Sequence, residues 1–149
     1  MSSSELNIEN IRKLKDNKPK GYEIVKINEE IIKKFNDHTR RKFVNWFGSV
    51  ERFSQEGFGF CALFNGEIAS VAVSGCYFYG NAFEIDIVTN ESHRRKGLAT
   101  LVAAYLIEYS LENGFDPRWD AANKPSVALA LKLGYTNPED YEVMFLTGE

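Results

Sequence analysis

The 149 residues carry a net charge of −3, with 44% hydrophobic and 26% charged side chains. This is the composition of an ordinary soluble globular domain, long enough to bury roughly two thirds of its unfolded surface, and it lacks the basic field that nucleic-acid binding requires. No apolar run approaches a membrane span and no apolar signal region follows Met1, so the expectation is a cytoplasmic domain with no membrane and no nucleic-acid partner.

In chain order, residues 1–20 are polar, with a short helical stripe at Leu6, Ile8, Ile11 and Leu14 that Lys18-Pro19-Lys20-Gly21 breaks. This segment is a linker, a docking helix or the remnant of a preceding segment, and residues 21–149 are the domain proper. Residues 22–27 alternate and predict a first strand. Residues 29–47 have helical spacing at Ile31, Ile32, Phe35, Phe43, Trp46 and Phe47, read as two helices. Trp46 and Phe47 fit a core at this spacing, and could also roof a pocket.

Residues 58–64 and 67–74 flank Asn65-Gly66, a strong signal for a two-residue hairpin turn. A second tight turn, Gly80-Asn81, separates Tyr77-Phe78-Tyr79 from a fourth strand over residues 82–89. Strands two to four are therefore an antiparallel meander. After it comes Glu91-Ser92-His93, the basic run Arg94-Arg95-Lys96, and Gly97. The next helix presents Leu98, Leu101, Val102, Tyr105, Leu106 and Tyr109 on one face and stops at Gly114. Residues 117–120 form a short strand, parallel to the fourth through a right-handed crossover. Asn123 caps a helix with Pro125 in its first turn and Gly134 at its end. After the turn at Asn137-Pro138, residues 141–146 are a last strand.

Cys61 and Cys76 lie in strand-like segments. A two-residue turn at Asn65-Gly66 sets Cys61 opposite Ser70, which argues against a bridge between them and for buried free thiols. His38 and His93 are the only histidines, and no metal-ligand spacing is present.

The turn from strand four into the helix carries the clearest chemistry. The first amides of a helix lack partners within it, and the helix dipole makes that end positive. With Arg94, Arg95 and Lys96 beside them, these amides form a phosphate receptor. Gly97 lets the backbone come close to a ligand. A solvated basic turn is the alternative use of the same residues.

The spacing Arg94-x-x-Gly97-x-Ala99 after a strand resembles the pyrophosphate loop of the Gcn5-related N-acetyltransferases, the GNAT superfamily. Asn123-x-x-Ser126, with Gly134-Tyr135 closing the helix, resembles that family's second motif. The order strand, helices, three antiparallel strands, helix, strand, helix, strand is similar to its α/β fold, a mixed central sheet with helices on both faces. More narrowly, Gly57-Phe58-Gly59-Phe60-Cys61, Pro117-x-Trp119-Asp120 and Leu131-Lys132-Leu133-Gly134-Tyr135 resemble the branch containing the zwittermicin A resistance protein. That branch carries an extra segment before this domain, which fits a shortened chain.

The resemblance implies acetyl-CoA as cosubstrate and no metal. The backbone of Ile87, Val88 and Thr89 would pair with the pantetheine arm as an added strand would. Arg94, Arg95, Lys96, Gly97, Leu98, Ala99 and Thr100 would hold the diphosphate. Asn123 and Ser126 would touch the cofactor from the far side, and capping is the plain alternative for Asn123. A base must take the acceptor amine's proton. Glu84 and Asp86 share one face of strand four, where carboxylates are costly unless solvated, paired (Arg118 is a candidate partner) or functional. Glu84 is the first choice as base. Many relatives place an acidic tyrosine where Ala130 stands here, so the thiolate leaves unassisted, or another hydroxyl helps, or transfer is inefficient.

The reading is an N-acetyltransferase acting by direct transfer on a primary amine of a small molecule, as monomer or homodimer. The alternatives are a non-catalytic CoA- or partner-binding module and a nucleotide-phosphate binder. The third lacks the glycine-lysine phosphate loop of nucleotide hydrolases.

Overall fold

The computed structural model describes residues 6–35, 37, 40–41, 49, 52–53, 57–119 and 124–135, with backbone only for 75–79 and 124–128. Among them are helix α1 (Ile8–Lys15), strand β1 (Tyr22–Lys26), the short helix α2 (Glu29–Ile32), strands β2 (Gly59–Phe64), β3 (Glu67–Tyr79) and β4 (Ala82–Thr89), a single 3-10 turn (Glu91–His93), helix α3 (Leu98–Glu112), strand β5 (Asp116–Arg118) and helix α4 (Lys124–Leu133). Trp46, Phe47, Asp120, Asn123 and the expected strand over 141–146 lie outside the described residues.

The sheet has five strands in the order β1-β2-β3-β4-β5. The first four pair antiparallel in succession, and β5 joins β4 in parallel. The mixed sheet and its flanking helices are the expected α/β architecture. The β2–β3 hairpin turns at Asn65-Gly66, both with positive φ (50° and 80°), and joins Phe64 to Glu67. The backbone twist of such a turn suits the twist of the strands.

One expectation about this hairpin fails. Cys61 stands opposite Val71, not Ser70. Ala62 pairs with Ser70 but Leu63 pairs with Ile68, so Ala69 is an extra residue that shifts the register by one. This is a β-bulge, and turn chemistry alone does not reveal it. Cys61 is nonetheless a buried free thiol, and burial, with some help from Glu23, pushes its pKa up to about 12. A thiol so placed stays protonated and is no nucleophile. The side chain of Cys76 lies outside the described set.

A second irregularity falls in β3, which is one long strand rather than two segments. Ser74 pairs with Ile85, and Phe78 with Phe83, so extra β3 residues crowd opposite Glu84.

Both sheet faces are covered. On one, Ile31 and Ile32 of α2 pack with Ile27, Phe35, Phe53, Cys61, Leu63, Val71 and Val73. On the other, Leu98, Leu101, Val102 and Leu106 of α3 pack on Tyr22, Phe58, Ala62, Ala72 and Phe83. The expected face of α3 is therefore correct but incomplete. Ala103, Ala104 and Ile107 form a second buried face against Ile11 of α1 and Ala130 and Leu133 of α4, with Trp119 and Tyr135.

Helix α1 forms that outer layer. Asn7 caps it, its side-chain oxygen accepting from the amides of Glu9 (2.8 Å) and Asn10 (3.4 Å). Ile11 is fully buried, and Arg12 and Lys15 reach α3 to pair with Glu108 at 3.2 and 2.6 Å, with Arg12 also on Glu112 at 3.2 Å.

Candidate functional site

The site is organised by what β4 does after β5 ends. Pairing between them covers only Ala82 with Asp116, Phe83 with Pro117 and Glu84 with Arg118. Over residues 85–89 this edge of β4 has no strand beside it among the described residues. Unpaired strand edges present rows of amides and carbonyls, so the backbone of Ile87, Val88 and Thr89 is placed to accept an extended, amide-bearing ligand.

The far end of this edge is fixed to β3. The Ser70 hydroxyl lies 2.9 Å from that of Thr89 and donates to the Val88 carbonyl at 3.4 Å, while the Asn90 amide donates to the Ala69 carbonyl at 2.8 Å. The chain then makes its 3-10 turn, and Arg95 enters the left-handed region (φ 65°). This conformation costs a non-glycine residue about 1–2 kcal/mol. Gly97 follows at φ 76° and is the N-cap of α3, making no side-chain cap. The amides of Leu98, Ala99 and Thr100 thus begin a helix with no side chain closing over them. A Cβ built on Gly97 meets nothing within 4 Å. The space in front of Gly97 is open, and the glycine is demanded by its backbone angle.

Arg94, Arg95, Lys96 and Gly97 are all exposed, and the three cations make no ion pair with any described residue. The N-terminus of α3 and three exposed cations outside any described ion pair thus lie within a few residues of one another. That arrangement suits a multiply charged anion.

Alternation puts Glu84, Asp86 and Val88 on the α2 side of β4, since Asp86 and Val88 pair with Val73 and Val71 of that core. Ile85 and Ile87 point the other way, into the α3 layers. The structure thus brings Glu84 and Asp86 onto one face, at the point where β4 and β5 part. Glu84 is exposed, and its carboxylate makes no hydrogen bond or ion pair among the described residues. The Arg118 guanidinium, its candidate partner, is instead 3.2 Å from Asp116. Asp86 is half-buried.

On the far side, Ser126 lies in α4 near its start. Ala130 is fully buried in the layer between α3 and α4. Tyr135, the nearest phenol in sequence, is also buried, and its hydroxyl donates to the Pro117 carbonyl at 2.6 Å. Burial, assisted by Asp116, pushes its pKa well up. Tyr105 packs against Phe60 and lies under the Lys15 ammonium, 4.2 Å from the ring centroid.

One contact has no signal in the sequence. The Tyr22 hydroxyl of β1 lies 2.7 Å from Nδ1 of His93, in the turn before the basic run. Tyr22 lies on β1 and His93 beyond the end of β4, and only the paired sheet brings them together.

Comparisons with known proteins agree with this fold. The family model for the GNAT acetyltransferases matches residues 1–144. YdfB of Bacillus subtilis (strain 168), an uncharacterized N-acetyltransferase, is 36% identical over 130 residues, which are 85% of this chain and 49% of YdfB. A GCN5-related N-acetyltransferase-like protein from Streptococcus suis 89/1591 superposes with a TM-score of 0.82 at 32% identity, covering 91% of this chain and 54% of its own. AAC(6')-Iy, solved with the bisubstrate analog CoA-S-monomethyl-acetylneamine, shares the fold at a TM-score of 0.58 and 14% identity, covering 78% of this chain and 91% of its own. The chain spans about half the length of the first two relatives. By family match and by identity, the chain belongs to the GNAT acetyltransferases.

Proposed function

We propose that this chain binds acetyl-CoA and transfers the acetyl group directly to a primary amine of a small molecule. One observation carries the reading: the edge of β4 over residues 85–89, which has no strand beside it among the described residues, leads straight into a helix start flanked by cations and without a side-chain cap. Those two features match the two chemistries of CoA. The pantetheine arm, with its two amides, extends along Ile87, Val88 and Thr89. The diphosphate faces Arg94, Arg95, Lys96 and the amides from Gly97 to Thr100. By resemblance to the family, Asn123 and Ser126 would touch the cofactor from the far side.

The thioester then lies near the point where β4 and β5 separate. The amine nitrogen attacks the thioester carbonyl, the carbon–sulfur bond breaks and CoA leaves as its thiolate. Glu84 takes the amine's proton and passes it to solvent. Its exposure and its freedom from any described cation favour it over Asp86. Cys61 is excluded from covalent catalysis by its protonated, buried thiol. The bisubstrate complex of AAC(6')-Iy supports a small amine as acceptor, and the Gly57–Cys61 and Leu131–Tyr135 motifs support kinship with the zwittermicin A resistance branch. We read the protein as a cytoplasmic monomer or homodimer.

A second reading has its own observation. Ala130 offers no hydroxyl, and Tyr135 is tied to a backbone carbonyl. A chain lacking an acid for the leaving thiolate could bind CoA without efficient transfer. An acetyl-CoA-dependent screen against amine libraries, read as released thiol, decides between them. CoA binding with turnover supports the transferase, and binding with no turnover on any amine supports the binding module.

A further inference from the structure

The turn that precedes α3 is held in a costly shape. Arg95 sits at φ 65° without being glycine, and residues 94–97 are exposed with little packing of their own. Within the turn, the backbone bonds that hold it are His93 to Asn90 (2.9 Å) and Arg94 to Glu91 (3.4 Å). Three exposed like charges repel one another and favour opening. Something outside the turn must therefore hold it.

Tyr22 meets that requirement. It is on β1, three strands from β4 in the sheet, and is only 5% exposed. It meets the turn at His93 and at Lys96. Its hydroxyl is 2.7 Å from His93 Nδ1, and the two rings meet edge-on at 5.6 Å. Its ring lies 5.9 Å below the Lys96 ammonium, inside cation–π range. It also shares a core cluster with Leu98, the first residue of α3. Phe64 of β2 bridges the gap, 5.0 Å from Tyr22 and 5.4 Å from His93.

We propose that Tyr22 and His93 form a latch that pre-organises the diphosphate-receiving turn; this rests on the reading of residues 94–100 as that receptor. They are positioning residues, acting through the turn's backbone rather than by touching the ligand. A turn held ready does not spend binding energy on ordering. Releasing it should weaken ligands that bear the diphosphate and leave those that lack it unaffected.

The test is calorimetric and NMR titration of CoA and of pantetheine, which has the arm but no diphosphate, into wild type, Tyr22→Phe, His93→Gln and the double variant. Tyr22→Phe keeps the buried ring and removes only the hydroxyl. We expect each single variant to raise the CoA Kd roughly 3–10-fold, the size of one net hydrogen bond, with pantetheine affinity within about twofold. The double variant should bind no more weakly than the weaker single, since both remove one interaction. CoA affinity within about twofold of wild type in both singles overturns the latch. So does an equal loss for CoA and pantetheine accompanied by a lower Tm, which marks a general structural role. Should Tyr22→Phe not fold, His93→Gln decides alone by the same criteria. A wild-type protein that binds no CoA overturns the receptor reading itself, and the latch falls with it; wild-type binding with unchanged variants overturns the latch only.

Discussion

Helices α1 and α3 begin in opposite ways. At the start of α1, Asn7 accepts from the amides of Glu9 and Asn10, and the helix lies against α3 through Ile11 and the Glu108 ion pairs. At the start of α3, Gly97 offers no side-chain cap, and the three cations before it make no ion pair among the described residues. The first start is closed and contributes stability. The second has no side-chain cap, which leaves its donors to water or to a ligand. The same division runs through the described residues: a packed seam between α1, α3 and α4, and an end where β4 outruns β5. Substitutions at the open end should change binding or turnover without much loss of stability, and those in the seam should do the reverse.

The largest effect is expected at the open end. Glu84→Gln keeps shape and removes the proton acceptor, so turnover should fall roughly 10²–10⁴-fold at neutral pH with CoA binding and Tm nearly unchanged. Steady-state kinetics with an amine found by the screen check this. A comparable loss in Asp86→Asn, with Glu84→Gln active, reassigns the base, and full activity in both makes the carboxylates structural.

Tyr135→Phe probes the seam. It leaves the buried Pro117 carbonyl without its donor, for an expected loss of about 1–3 kcal/mol in denaturant unfolding. The variant also bears on the missing acid at Ala130. With the Tyr135 hydroxyl tied to backbone and its pKa raised, kcat/KM should rise with pH and show no tyrosine-like falling limb up to about pH 9.5, in wild type and variant alike. The same profile is expected of Tyr105→Phe. A falling limb abolished by either substitution would restore a tyrosine acid.

The meander and the basic turn are legible in the sequence, while the seam that α1 forms with α3 and α4 is not. Strand alternation, the Asn65-Gly66 and Gly80-Asn81 turns and the Arg94-x-x-Gly97 spacing each act over a few residues, so they locate the meander and the loop. What stayed hidden depends on distant parts. The bulge at Ala69 moves Cys61 from Ser70 to Val71 without any local signal. The second buried face of α3 consists largely of Ala103 and Ala104, small residues that a hydrophobic stripe does not single out. The bond between Tyr22 and His93 exists only once four strands are paired. Local chemistry is written in short spacing, while register and cross-sheet contacts are set by the whole fold.

Smaller effects are expected at the start and flank of α1. Asn7→Ala should cost about 1 kcal/mol of stability through the lost cap, read by thermal unfolding, and leave CoA affinity unchanged. Glu108 tests the ion pairs. Burial alone would raise its pKa, but the bonds and charges of Lys15 and then Arg12 outweigh this and hold the carboxyl below its usual range. A carboxylate held lower in the folded state stabilises the fold fully above its unfolded value of about 4.3, and that contribution is lost as pH falls through the lower folded value. Unfolding measured between about pH 6 and pH 3 should therefore fall less steeply in Glu108→Gln than in wild type, with a loss at pH 7 of at most about 1 kcal/mol. Equal acid slopes would remove Glu108 from the seam's energetics.

The central claim is that the open start of α3 receives the diphosphate of CoA, and titration of CoA into wild type and Gly97→Val tests it most directly. Valine places a branched side chain in that open space and strains the backbone at φ 76°. Wild type should bind CoA measurably, and a Gly97→Val protein that still folds should lose at least roughly 100-fold in affinity, because a close backbone approach tolerates no Cβ. Unchanged CoA affinity in folded Gly97→Val would contradict it.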